Sequence, residues 1–144
     1  MKRPTFAAIF FLWLCFAGCS SPANEFRLDQ KIKEFHLLYE QQDFERIYIE
    51  SSSGLKSKIS KKEFIDWMSK IRFIMGDIKQ TTKIGSAPGK KSDGRGDVMI
   101  VRHKTTFKNG EALEDFSFDE EGKDIKLFGY NFNSDYFVRQ LMVK

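Results

Sequence analysis

DVMIVRHKTTFKNGEALEDFSFD, residues 97–119, is the stretch on which the fold turns. Asp97 to Lys108 alternates apolar with polar residues, Glu111 to Asp119 does so again, and Asn109-Gly110 stands between them as a strong two-residue hairpin turn. Such a loop pairs Lys108 with Glu111 and fixes every pair behind it. One face of the expected hairpin then holds Met99, Val101, His103 and Phe107 beside Ala112, Phe116 and Phe118, and reads as core. The other holds Arg102, Lys104 and Thr106 beside Leu113, Asp115 and Ser117, with Lys104 opposite Asp115 as a cross-strand charge pair.

Downstream, Glu120-Glu121-Gly122 turns the chain into a further strand, Lys123 to Asn133. There Ile125 and Leu127 point one way while Phe128, Tyr130 and Phe132 point the other, so strict alternation makes both faces apolar. An outer apolar face needs a cover or marks an interaction surface. The chain's own tail offers one cover through Tyr136, Phe137, Leu141, Met142 and Val143; a second copy or a ligand offers another.

Upstream the period is helical. Leu28, Ile32, Phe35, Leu38 and Tyr39 trace one stripe, and Asp43 caps a second helix carrying Phe44, Ile47 and Tyr48 before Ser51-Ser52-Ser53-Gly54 breaks the pattern. Ser60 and Glu63 form a capping box flanked by Ile59 and Phe64, and Phe64, Trp67, Met68, Ile71, Ile74 and Met75 follow as one wide apolar face up to Gly76. Ile78, Gln80, Thr82 and Ile84 alternate as a strand, and Ser86 to Gly96 reads as a loop. The expected fold is therefore α+β: three N-terminal helices packed on one face of a three- to four-stranded curved antiparallel sheet.

The first residues carry an address. Lys2 and Arg3 precede an uncharged apolar run, Phe6 to Phe16, and the small residues Ala17 and Gly18 follow. A spanning helix needs about 20 apolar residues, and the chain turns polar directly after Cys19, so this stretch reads as an export signal. Phe16-Ala17-Gly18-Cys19 resembles the lipobox of bacterial lipoproteins. That resemblance implies residues 1–18 as signal peptide, a lipid thioether on Cys19, residues 19–24 as a lipidated tether, and residues 25–144 as one exported domain. Ser20 after the cysteine implies the outer membrane where the envelope has one.

Loss of the signal removes Cys15, and Cys19 is the one other cysteine, so no disulfide or cysteine metal site is expected. The formal charge of +4 falls to about +2 without Lys2 and Arg3. The basic stretches Lys56 to Lys62 and Lys83 to Arg95 do not interleave aromatic residues as a nucleic-acid surface does, and they read as solvated faces. No cofactor is implied, because Gly85 to Gly96 lacks phosphate-cradling spacing. His36 and His103 are far apart and unaccompanied, and Asp119, Glu120, Glu121 and Asp124 lack the spacing of a calcium loop, so no metal site is expected. Arg95-Gly96-Asp97 matches an adhesion tripeptide by letters alone.

The order of helices then sheet, with Phe107-Lys108-Asn109-Gly110-Glu111 and Leu127-Phe128-Gly129-Tyr130, resembles the cystatin-like and nuclear-transport-factor-like domains over about residues 25 to 134. The resemblance implies a cone-like cleft between sheet and helices, serving small ligands, dimerisation or catalysis. His103, Glu114 and Tyr130 are then the internal polar candidates, with His103 and Glu114 on one face of the hairpin and two residues out of direct opposition. The leading expectation is a noncatalytic envelope lipoprotein that binds a protein partner, a second copy of itself or a small apolar ligand through Phe128, Tyr130, Phe132 and Trp67. The alternatives are a small hydrolase or isomerase using His103 and Glu114, and a purely structural envelope protein.

Overall fold

Pro22 opens the first helix, α1 (Pro22–Gln41), where a missing N–H costs nothing because the first turn has no acceptor for it. A computed structural model of the chain describes residues 22–91, 94 and 96–143; Cys19, the lipobox and the export signal lie outside the described residues. The helix buries Leu28, Ile32, Phe35, His36, Leu38 and Tyr39 along one stripe. It ends at Gln42, which takes φ 57°, and the Asp43 carboxylate accepts from the Arg46 N–H to start α2 (Phe44–Glu50).

Ser51 to Gly54 does more than break the pattern. Ser52 Oγ accepts from the Leu55 N–H at 3.1 Å and caps a single further turn, α3 (Ser53–Lys56). The capping box at Ser60 and Glu63 then starts α4 (Lys61–Met75), which closes on Gly76 at φ 78°, a value that favours glycine.

Four strands follow, β1 (Ile78–Lys90), β2 (Asp97–Phe107), β3 (Gly110–Glu121) and β4 (Asp124–Asn133), and a last helix, α5 (Asp135–Met142), ends the described chain. They form one antiparallel sheet in the order β1-β2-β3-β4. Among the described residues the architecture is α+β, with four helices before the sheet and one after it. Strand β1 runs through the stretch expected to be a loop as far as Lys90. Pro88 fits there because β1 is an edge strand, whose outward side needs no ladder donor.

The hairpin register differs from expectation by two residues. Phe107 pairs with Gly110, so Lys108-Asn109 makes the turn and Gly110 begins β3. A type I′ turn at Asn109-Gly110 needs positive φ at both residues, but outside glycine only Gln42 among the described residues has one. The end of α4 supplies the reason: Asn109 N–H donates to the Met75 carbonyl, its side-chain amide to the Ile74 carbonyl, and Lys108 N–H to the Asp77 carbonyl. The hairpin tip thereby satisfies two carbonyls that a helix end leaves unpaired. A slip of two keeps every side chain on its expected face but changes partners. Asp115 accepts from Arg102 Nε and Nη2, at 2.6 and 2.8 Å, rather than from Lys104, and His103 lies directly opposite Glu114.

The two-faced last strand also resolves, through a β-bulge. Ser117 pairs with Gly129 and Phe118 with Leu127, leaving Phe128 as the extra residue. The bulge changes the phase of the strand, so Ile125 and Leu127 below it and Tyr130 and Phe132 above it all meet the same core. Phe128 turns away and is buried by α3: a Cβ on Gly54 would lie 2.4 Å from its ring, and Lys58 Nζ stands 3.5 Å from the ring centroid. Phe128, Tyr130 and Phe132, expected to share one outer apolar face, therefore do not: Phe128 is covered by α3, and Tyr130 and Phe132, half-buried, pack against the core. Of the covers considered, the tail folds back in part, as a helix: Phe137 is buried, with its ring edge-on to Trp67 at 5.3 Å and to Phe132 at 5.4 Å, while Met142 and Val143 stay exposed.

Candidate functional site

Polar groups collect where the stripe of α1 meets the middle of β2, β3 and β4. Glu114 on β3 is 1% exposed, and its carboxylate accepts from three donors. His36 Nε2 lies 3.0 Å from Oε2, Thr105 Oγ1 donates to the same oxygen, and the Tyr130 hydroxyl donates to Oε1 at 2.6 Å. Thr105 has one proton and gives it to Glu114, so its oxygen accepts from Thr81 Oγ1 at 2.9 Å; Thr81 in turn accepts from His103 Nδ1, also at 2.9 Å. The chain of donors runs one way, from His103 through two threonines to Glu114. It fixes the tautomer of His103 with the proton on Nδ1, and leaves buried Nε2 with no hydrogen-bond partner within the protein.

Aromatic rings enclose the cluster. Phe116 is fully buried and meets Phe35, His36, His103 and Tyr130 with ring centroids 5.1 to 5.8 Å apart. Burial alone would push the Glu114 carboxyl up, but the hydrogen bonds and charge from His36, with those from Thr105 and Tyr130, outweigh it and hold the group below the usual carboxylate range. Burial pushes Tyr130 well above the phenol range, and the Glu114 charge adds to that. Burial, then the proximity of His36, lowers His103. Asp29 and Lys83 complete its charged surroundings: Lys83 faces His103 across the strands and ties β1 to α1 through Glu25 and Asp29, at 3.2 and 3.0 Å.

Stability should therefore fall on acidification in two stages. His103 is held below its ordinary value, so below about pH 6.5 the unfolded chain takes up a proton that the fold refuses, and stability declines as pH drops towards the folded value. Glu114 is also held low, and its share is lost only below about pH 4.3, as the pH falls through its folded pKa. Urea midpoints measured from pH 7.5 to 3 should begin to fall near pH 6.5 and fall further below about pH 4.3, and His103→Gln should flatten the first stage while leaving the second.

Alternation places His103 and Glu114 on the core face and the family resemblance nominates Tyr130 beside them; the structure brings all three into one neighbourhood. It does not point to His36, the nearest nitrogen partner of Glu114, although His36 falls four residues after Ile32 on the buried stripe of α1. Thr81 and Thr105 give no signal, since nothing in local spacing distinguishes a threonine that links a buried hydrogen-bond chain from one that fills a strand. Trp67 is half-buried against Phe137, and Phe128, Tyr130, Phe132 and Trp67 make no common exposed patch.

A different feature is open to solvent. A groove of ≈ 440 Å³ lies at the far end of the sheet, beside the first turns of α1. Leu28, Val98, Met99, Phe118 and Ile125 give it apolar walls, and Asn24, Lys91, Asp97, Asp119 and Glu120 are its polar lining. Asp119 is 5% exposed; one oxygen, Oδ2, is 2.7 Å from Lys91 Nζ, and the other, Oδ1, is buried without a hydrogen bond within the protein. None of the cluster residues His36, His103, Glu114 or Tyr130 lines this groove.

Fold and geometry together define an α+β domain with a sealed polar cluster in its core and an open apolar groove at one end of its sheet. No family model and no curated protein matches the chain. Among the described residues, no helix is long and apolar enough to cross a membrane, and no three His, Cys, Asp or Glu side chains converge as a metal site would require.

Proposed function

We propose that this chain is a noncatalytic bacterial envelope protein, lipid-anchored through Cys19, whose α+β domain takes a small apolar ligand in the groove beside the start of α1. The observation that carries the reading is the contrast between the two sites: Glu114 is 1% exposed with three donors already upon it, whereas the apolar groove is open. A mostly apolar cleft with a few polar groups is the usual form of a small-ligand site. The hydrolase or isomerase alternative requires His103 and Glu114 to reach a substrate together; here Thr81 and Thr105 stand between them, and Phe116 packs beside both His36 and His103. In the finer reading of the fold, the helices lie over the sheet as in cystatin-like and nuclear-transport-factor-like domains, with the interior of the cone filled by side chains and the ligand taken at its rim.

The anchor and the groove are close in the chain. Four residues separate Cys19 from Asn24, so the two are at most about 18 Å apart along the backbone. A tether that short holds the groove near the bilayer, where apolar molecules concentrate. Acyl chains bind additively, at about 0.8 kcal/mol per buried CH₂, so several give a near-permanent anchor. The intact mass of protein extracted from the envelope should exceed that of the polypeptide from Cys19 onward by a diacylglyceryl group and a further acyl group. Cys19→Ala should abolish both the added mass and the partition into the membrane pellet. An unmodified mature protein recovered from the aqueous fraction would end the anchoring proposal.

A further inference from the structure

Phe26 lies off the buried stripe of α1, 64% exposed and one turn into the helix. A single exposed phenylalanine asks for no explanation, but its surroundings do. The first turns of α1 stand between two open hollows: the groove described above, and a second of ≈ 560 Å³ where Phe26, Arg27 and Gln30 face Ile125, a residue that lines both. Arg27 Nη2 donates to the Lys123 carbonyl at 2.6 Å, so the turn between β3 and β4 sits at the same level. Asn24 lines the groove with Lys91 and Gly96, which stand beside the ends of β1 and β2. The helix start and the ends of two hairpins thus share one end of the domain.

That end is the one the tether reaches. Cys19 to Pro22 spans at most about 11 Å of extended chain, and Phe26 lies about 6 Å further along the helix axis. Leu37, also exposed on α1, is about 22 Å along the axis from Pro22. Side chains on a helix lean towards its N-terminus, so the Phe26 ring leans back towards Cys19. The charges at this end are mixed. Arg27 and Lys123 are offset by Glu120 and Asp124, and Lys90, Lys91 and Lys126 are paired with Asp97, Asp119 and Glu121. Between β1 and β2 the sequence adds one charge of each sign, Asp93 and Arg95. Burial of apolar surface, rather than net charge, is therefore the term that can hold this end against lipid.

We infer that this end of the domain rests on the bilayer, with the Phe26 ring entering the boundary between head groups and acyl chains. The inference rests on the Cys19 anchor and adds to it the face that meets the lipid. An apolar ligand then reaches the groove from the membrane without crossing water.

Site-specific photo-cross-linking tests the orientation on the full-length lipidated protein, reconstituted in vesicles of phosphatidylethanolamine and phosphatidylglycerol. p-Benzoylphenylalanine is placed singly at Phe26, Leu37, Ile49 or Phe73, all exposed, so that no core contact is disturbed. Flotation of the vesicles reads the anchor before irradiation, and the mass of protein joined to phospholipid reads the contact. Position 26 should cross-link about ten-fold more than position 73, a ratio within what burial of one phenylalanine ring supplies, although Phe73 is the more exposed of the two in the protein itself. Positions 37 and 49 should stay near the level of position 73. Floating protein whose position 26 cross-links no more than position 73 would overturn the inference and leave the anchor standing. Equal cross-linking at 26 and 37 would overturn it too, since α1 would then lie flat on the membrane. Protein that does not float would overturn the anchor and this inference with it.

Discussion

Replacing Glu114 by Leu is expected to destabilise the domain by about 3–5 kcal/mol, the cost of removing one member of a buried, hydrogen-bonded charge cluster. That is a large share of the roughly 5–15 kcal/mol by which domains are usually stable, and a fall of the order of 10 °C or more in Tm should accompany it. The loss comes chiefly from what remains. Tyr130, Thr105 and His36 would keep their donors in a largely buried site, and each unsatisfied group costs about 1–3 kcal/mol. The same logic predicts partial rescue. Tyr130→Phe removes one stranded donor, so the double variant Glu114→Leu with Tyr130→Phe should be less destabilised than the sum of the two singles. Urea unfolding of the four proteins of that cycle checks the prediction. Strict additivity would mean that Glu114 and Tyr130 do not act on each other, contrary to the 2.6 Å hydrogen bond between them.

Phe116→Ala should cost a similar amount, about 3–5 kcal/mol, for an apolar reason. Phe116 has no exposed surface and sits between the α1 stripe and the sheet, with Phe35, His36, His103, Phe118 and Tyr130 around it. Truncation opens a space in which none of these rings can relax without disturbing the donors to Glu114. A control lies on the same domain: Phe73 is 88% exposed, and Phe73→Ala should change stability by no more than about 0.5 kcal/mol. The two alanine variants, compared by chemical denaturation, separate burial from aromatic content.

The parts of the fold that could be read from sequence are those governed by near neighbours. The Ser60 and Glu63 capping box, the Asp43 cap and the stripe from Leu28 to Tyr39 depend on residues within a turn or two, and each forms as expected. The facing of the hairpin was legible too, because alternation survives a slip of two. What alternation cannot supply is register, which here is decided by the end of α4: its terminal carbonyls capture Asn109 from more than thirty residues away, and the Asp77 carbonyl just past the helix takes the Lys108 N–H. The bulge at Phe128 has a similar cause. A single extra residue in β4 is invisible to a period-two pattern except as a change of phase, which reads as a second apolar face until the strand is paired with β3. The candidate site divides in the same manner: Glu114 and His103 share a face by alternation, but His36 reaches them from a helix 78 residues before Glu114.

The two margins of the sheet bear on how copies of this chain can meet. On β1, Pro88 removes a backbone donor, and irregularities after Ile78 and after Lys83 break the spacing of the rest. On β4, the bulge interrupts the strand, and the Ser52 N–H already occupies the Leu127 carbonyl at 2.9 Å. Neither rim offers an arriving strand an unbroken row of amides, which is how natural sheets discourage growth into ribbons and fibres. Molecules of this protein brought together at high local concentration are thereby guarded against zipping main chain to main chain, and pairing between them falls to side chains.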